Sequence, residues 1–146
     1  MIKNDYCLEN NNTLRTKTIA DEFCGFETAD DLASYFENVD YLAGRYMVLG
    51  GGSNILFTKN YNGTIFHSIN KSVHIVNNVD GECLVRAYAG FEWDDFVSYT
   101  VNNNLIGLEA LSLIPGSVGA APVQNIGAYG TEVSDYIHSV ECYDQN

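Results

Sequence analysis

Residues 113–130, Leu-Ile-Pro-Gly-Ser-Val-Gly-Ala-Ala-Pro-Val-Gln-Asn-Ile-Gly-Ala-Tyr-Gly, constrain this chain more than any other stretch. Gly116, Gly119, Gly127 and Gly130, with Ala120 and Ala121, leave so little side-chain bulk that the segment cannot form a core by itself. Ordering glycine costs more backbone entropy than ordering any other residue, so the cluster needs a compensating contact. Close approach of the backbone to a ligand is one such contact. A tight turn packed against a sheet is another. Ser117, Gln124, Asn125 and Tyr129 add donors and acceptors without formal charge, which suits a wall for a large, flat ligand with polar edges.

A second glycine run, Leu49-Gly50-Gly51-Gly52-Ser53-Asn54, lies upstream. Glycine reaches positive φ without strain, so consecutive N–H groups here can curl into a nest around an anion, with the Ser53 hydroxyl and Asn54 amide as further donors. A pyrophosphate could be held this way without a cationic side chain. That matters in a chain of net charge −12, where local donors must hold any anion against the overall field. The same charge argues against a nucleic-acid backbone or an anionic membrane as partner. The run is not a dinucleotide fingerprint, because in G-x-G-x-x-G register from Gly50 the third glycine position holds Ile55. Nor is it a P-loop, since no Gly-Lys-Ser/Thr follows.

The pair Leu-Gly-x-Gly-Ser-Asn and Ile-Pro-Gly-x-Val-Gly-x-x-Pro-x-Gln-Asn-Ile-Gly-Ala-Tyr-Gly resembles the UDP-N-acetylenolpyruvoylglucosamine reductase family, flavoenzymes that make UDP-N-acetylmuramate for bacterial peptidoglycan. The likeness runs from about Asn12 to the last residue. It implies the FAD-binding fold of the vanillyl-alcohol-oxidase type, in which two α+β subdomains clasp FAD between them. In the family the first loop binds the FAD pyrophosphate, which carries over to Gly50, Gly51, Gly52, Ser53 and Asn54. The second motif lines the ribityl chain and isoalloxazine, which carries over to Ile114, Pro115, Gly116, Ser117, Val118, Gly119, Pro122, Gln124, Asn125, Ile126, Gly127, Ala128, Tyr129 and Gly130. Ala120 and Ala121 share that wall, but stand where some members carry hydroxyl residues, so no side-chain bond is carried over there.

The resemblance further implies that NADPH reduces FAD and that flavin N5 delivers hydride to the enolpyruvyl double bond of a UDP-sugar. A serine supplies the proton, and an arginine and a glutamate stabilise the enol-like intermediate. These three lie in the family beyond the point corresponding to residue 146, so no catalytic residue is assigned, and Ser53 and Ser117 do not match the proton donor. The implication is an incomplete chain that carries the cofactor site without the chemistry. A non-catalytic flavin- or nucleotide-binding module, an inactive fragment, and another oxidoreductase of the same flavin fold are the alternatives. No histidine marks a covalent flavin link.

The rest of the chain reads as α+β. Residues 1–18, with Asn10, Asn11 and Asn12 in succession, read as a loosely ordered lead-in. Residues 19–26 suggest a strand. Thr28 and Asp31 form a capping-box-like start to a helix whose face is Leu32, Tyr35, Phe36 and Val39. Residues 45–49 suggest a buried strand, giving a βαβ unit with a parallel pair and the first glycine loop at the carboxyl end of a strand. Tyr61-Asn62-Gly63 reads as a turn before a strand at 64–69. A boundary near Asn70 separates residues 1–70 from an incomplete second subdomain, 71–146. There, strands at 73–76 and 83–89 flank an Asp80-Gly81 hairpin turn. Trp93, Phe96, Val97 and Val101 mark a helix face, with Glu92, Asp94 and Asp95 on its first turn and Asn102–Asn104 at its end. A strand at 137–143 would leave an unpaired edge and favour self-association. Cys7, Cys24, Cys83 and Cys142 are too scattered for a metal motif and read as buried reduced thiols; His67, His74 and His138 read as structural or surface residues. No signal-peptide pattern or long apolar run is present, so a soluble, cytoplasmic protein is expected.

Overall fold

A computed structural model describes residues 1–38, 44–79 and 81–144. By internal contacts the chain divides into two units, Met1–Asn70 together with Cys142–Asn146, and Lys71–Glu141.

The first unit is a four-stranded sheet. β1 (Ile2–Cys7), β2 (Ile19–Phe26), β3 (Tyr46–Val48) and β4 (Tyr61–Ser68) lie in the order β1-β2-β4-β3. β1 runs antiparallel to β2, whereas β2 and β3 each run parallel to β4. The βαβ reading therefore needs one correction. β2 and β3 share a direction, but they are not neighbours, because β4 enters between them. β3 is an edge strand with Tyr46 and Val48 exposed, so it is not the buried strand its apolar composition suggested.

Alternation along β2 and β4 supplies two apolar faces. Phe23 and Ile65 point to one side, where they pack with Leu8, Ala20 and Leu49. Cys24 and Phe66 point to the other and meet Leu32, Tyr35 and Phe36 of α1 (Ala29–Asn38). These three are the face expected from their spacing; Val39 lies outside the described residues. The helix starts on a reciprocal cap in which Asp31 N–H donates to Thr28 Oγ1 (3.1 Å), and the N–H groups of Glu27 and Thr28 donate to Asp31 Oδ2 (3.0 and 3.1 Å). Aspartate thus serves where glutamate is usual, because Asp31 Oδ2 reaches both N–H groups ahead of the first turn.

Two loops of the sequence reading are ordered strand. Residues 2–7 are β1, and the asparagines follow in a 3-10 turn, Leu8–Asn11, that buries Leu8 completely. The polar look of this segment has a cause: Asn12 is itself buried, and its amide is saturated by Leu8 O, Thr16 O, Thr16 N–H and the Thr16 hydroxyl (2.7–3.1 Å). Tyr61-Asn62-Gly63 is the start of β4 and not a turn. Ala20 pairs with Tyr61 but Glu22 with Thr64, a bulge in β4. Gly63 has φ 154°, and a Cβ there would lie 2.2 Å from Arg45 O. The glycine marks a close backbone approach, and the sequence signal was real but of another kind.

In the second unit β5 (Val73–Val79) and β6 (Glu82–Ala87) form the expected antiparallel hairpin; Asp80 lies outside the described residues. α2 (Trp93–Asn102) buries Trp93, Val97 and Thr100, while Val101 is nearly half exposed. Thr100 takes the inward position because its hydroxyl donates to Val97 O (2.8 Å) and so carries no unpaired polar group inside. Trp93 and Val97 pack with Leu111, Ala121 and Val133. The strand expected at 137–143 does not form; those residues pair with no strand and Tyr143 instead stacks flat on Phe36 (5.8 Å). The premise of self-association through its edge goes with it. Among the thiols Cys24 is buried, but Cys7 and Cys142 are exposed and Cys83 half-buried, because β1 and the tail lie at the surface; none of the four is in a disulfide among the described residues. No helix among the described residues is long and apolar enough to cross a membrane.

Thr28→Ala should cost about 1 kcal/mol in a urea melt, the usual loss for a threonine cap. Donation from Glu27 N–H, then Thr28 N–H, holds the Asp31 carboxyl below the usual carboxylate range. A lowered folded pKa adds stability above the unfolded value and loses it as pH falls through the folded one. Asp31→Asn should therefore flatten the acid limb of the stability profile below the ordinary carboxylate range and leave the neutral region nearly level with pH.

Candidate functional site

The first glycine loop leaves the sheet directly after β3, on the side where β2, β3 and β4 all end. Leu49 is its anchor. The Leu49 side chain is buried among Phe23 and Ile65, and its N–H donates to Phe66 O (2.8 Å), one rung beyond the strand. The Leu49 carbonyl accepts from His67 Nδ1 at 2.8 Å. Since a carbonyl can only accept, Nδ1 carries the proton.

From Leu49 the chain turns at Gly52, which has φ 66°. Gly50 and Gly51 are outside the positive-φ set. A change of hand between neighbouring residues is the backbone pattern in which successive N–H groups can face one point. Among the described residues the N–H groups of Gly50, Gly51 and Gly52 donate to no protein acceptor. Gly52 O, in contrast, is held by Thr13 N–H (3.2 Å) and the Thr13 hydroxyl (3.4 Å). Gly52 is also buried against the N-terminal segment: a Cβ there would stand 2.1 Å from Asn11 O and 2.8 Å from Asn12 Cα. Glycine is thus obligatory at 52 for the protein's own packing, whatever the loop binds. Ser53 is half-buried and Asn54 exposed. The Asn12-Thr13 pair is what buttresses the loop.

The second segment spends its N–H groups differently. Gly116 O accepts from Trp93 N–H (2.9 Å), Val118 N–H donates to Phe91 O (2.9 Å), and Gly119 N–H donates to Ala89 O (3.0 Å). Ser117 sits opposite Glu92 in this antiparallel zip. A Cβ on Gly119 would stand 2.6 Å from Ala89 Cβ, so that glycine permits the approach. The N–H groups of Ala120 and Ala121 turn back to Ser117 O, opening the short helix α3 (Ala121–Gln124), which carries Pro122 in its first turn. Asn125 ends it at φ 42°, its amide donating to Glu132 Oε2 (2.7 Å) and accepting from Ser134 N–H (3.2 Å). Gly127 and Ala128 (β7) pair with Thr131–Glu132 (β8) across Tyr129 and Gly130, which have φ 54° and 80°, the signature of a type I′ hairpin.

This segment therefore does contribute to a core, because Trp93 supplies the bulk it lacks. Ile114, Val118, Ala121, Ile126 and Ala128 all join the cluster that holds Trp93, whose Nε1–H donates to Leu111 O (2.8 Å). What it presents outward is apolar as well: Leu113, Val123 and Tyr129 are each more than four-fifths exposed. Gln124 is exposed and Ile114 half-buried, while the Ser117 hydroxyl is buried without a partner among the described residues. Among those residues no three His, Cys, Asp or Glu side chains come close enough to hold a metal ion.

Gly52→Ala should destabilise the first unit by upwards of about 2 kcal/mol, since left-handed strain and a backbone clash act together. The loss should be read in thermal melts with no ligand added. Gly51→Ala should leave those melts close to wild type.

Comparisons with known proteins identify the family and the fold. Residues 24–146 match a family described as the FAD binding domain. The chain is 47% identical over 133 residues to UDP-N-acetylenolpyruvoylglucosamine reductase of Neisseria meningitidis serogroup B, covering 91% of this chain and 38% of that protein. The reductase of Bacteroides fragilis is 46% identical over 136 residues, which are 93% of this chain and 41% of that one. The crystal structure of UDP-N-acetylenolpyruvylglucosamine reductase from Thermus caldophilus superposes with a TM-score of 0.68 at 23% identity, over 92% of this chain and 47% of that one, a likeness of fold. The chain thus spans about two fifths of the length of the curated relatives it matches. On the match over residues 24–146, the chain belongs to the FAD binding domain family and has its α+β fold.

Proposed function

We propose that this chain is the flavin-holding portion of an enzyme that reduces UDP-N-acetylenolpyruvoylglucosamine to UDP-N-acetylmuramate with NADPH, for peptidoglycan synthesis. The observation that carries the reading is the set of three successive N–H groups at Gly50, Gly51 and Gly52 that the fold leaves unspent. They fit a pyrophosphate, which brings the acceptors and the negative charge these donors lack. Ser53 and Asn54 would add polar contacts at the rim of the same loop.

When bound, FAD supplies two-electron hydride chemistry that no side chain can provide. This chain's residues bind and orient it. In the second unit, residues 114–129 would face the flavin with small side chains and the exposed Val123 and Tyr129. The Asn125 amide is already engaged by Glu132 and Ser134, so its part would be to shape the turn. The substrate-handling arginine, serine and glutamate of the reaction are assigned to no residue here, and the subdomain roles, pyrophosphate in residues 1–70 and flavin ring in 71–146, belong to this proposal.

The test is FAD titration by fluorescence quenching. Gly51→Ala puts a methyl group where phosphate oxygens would approach and should weaken binding about tenfold, some 1.4 kcal/mol, with melting unchanged. Arg45→Ala, on the exposed residue ahead of β3, should cost well under tenfold, and raising the salt should have little effect, because backbone dipoles and not side-chain charge hold the ligand. A steep salt dependence would show that charge holds it and reject the assignment. The 146-residue chain alone should show no substrate-dependent NADPH oxidation; loss of a proton donor by itself removes on the order of a hundredfold in rate.

A further inference from the structure

We infer that His67 is a positioning residue for the pyrophosphate loop, acting through the Leu49–Gly50 peptide; the inference rests on the assignment of that loop made above. The parallel ladder between β3 and β4 reaches Leu49 N–H, which donates to Phe66 O (2.8 Å). In a parallel ladder the same residue's carbonyl would next accept from the backbone N–H of Ser68. That rung is not made. Leu49 O accepts instead from His67 Nδ1 (2.8 Å), a side chain in place of the backbone.

The substitution has two consequences. It ends the ladder without orphaning a carbonyl on the buried Leu49, so the chain can leave the sheet where the glycines begin. It also sets the peptide plane. Across a trans peptide the carbonyl and the following N–H point in opposite directions, so fixing Leu49 O on His67 aims Gly50 N–H away from the imidazole. Gly50 N–H is the first of the three unspent donors. The imidazole is held in turn. His67 shares the Ile65 face of β4, half-buried, its ring 5.5 Å from that of Phe23 and tilted 40° to it. On β2 its register partner is Gly25. Thr13 pins the far end of the loop through Gly52 O, and His67 pins the near end through Leu49 O. The donors lie between two fixed carbonyls.

Two variants separate positioning from bulk. His67→Asn keeps an N–H donor at nearly the place of Nδ1, and His67→Leu keeps volume without a donor. In the 146-residue chain, His67→Leu should weaken FAD about tenfold and His67→Asn by less than about threefold, an unpaired buried carbonyl being the main cost of the former. Amide NMR with inorganic pyrophosphate as probe gives a second readout. Pyrophosphate should shift the Gly50, Gly51 and Gly52 amides in wild type and in His67→Asn, with the Gly50 response lost in His67→Leu. Long-range nitrogen–proton spectra of wild type should show the proton on Nδ1. Equal FAD affinity in wild type and His67→Leu, with Gly51→Ala impaired, would overturn the role of His67 and leave the loop assignment standing. Gly51→Ala binding like wild type, or no binding of FAD or pyrophosphate by wild type, would overturn both.

Discussion

Gly52 meets the backbone of Asn11 and Asn12 so closely that no Cβ fits between them, and the first unit is arranged around that approach. It requires the N-terminal segment to be fixed, and the buried Asn12 amide fixes it by tying Leu8 to Thr16 through four hydrogen bonds. The same bonds seat Leu8 in the apolar face of the sheet with Phe23, Leu49 and Ile65. Packing, loop conformation and the availability of donors are therefore one constraint. With Gly52 O held by Thr13 and Gly52 in the left-handed region, packing sets the loop's shape, and hydrogen bonds from the Gly50, Gly51 and Gly52 N–H groups play no part in it among the described residues.

The second unit solves a different problem with similar residues. Its glycines let residues 116–119 zip against residues 89–92 beside Trp93, with Val118 N–H and Gly119 N–H spent on Phe91 O and Ala89 O. Glycine in the first loop leaves three N–H groups without a protein acceptor among the described residues; the second segment carries exposed apolar side chains, notably Val123 and Tyr129.

Much of this was legible in the residues. β2, α1, the β5–β6 hairpin and α2 follow from apolar periodicity and cap chemistry, because each is decided within its own window of sequence. Both glycine runs stood out, and the first loop lies at strand ends as expected. What failed were features decided by distant partners. β1 is polar and became a strand only because β2 offers it an edge. Gly63 signals a turn locally, yet the residue it must avoid is Arg45, across the sheet. Residues 137–143 look like a strand but find no strand to pair with. Within the site, sequence could name Gly52 as special but not say that its neighbour is Asn11 and not a phosphate. His67, read as structural, gave no motif at all, since its role depends on the ladder stopping at Leu49.

A diphosphate bound as proposed would meet a net charge of −12, and the hydrogen bonds show where the carboxylates are engaged. Carboxylates are used to satisfy backbone N–H groups at turns and helix starts: Asp31 for Glu27 and Thr28, Asp94 for Leu113, Glu109 for Gly107, Asp135 for Glu132. Each pairs a fixed negative charge with a local donor, so the donor is unavailable to an external anion. The Gly50–Gly52 N–H groups donate to no carboxylate among the described residues. An acidic chain can keep a site open for an anion in this way, by withholding its own acids from one set of N–H groups while spending them on others. Specificity then comes from geometry. The repulsive field of the remaining charge acts on any anion, but only one that reaches several converging N–H groups at once recovers enough hydrogen bonding to stay.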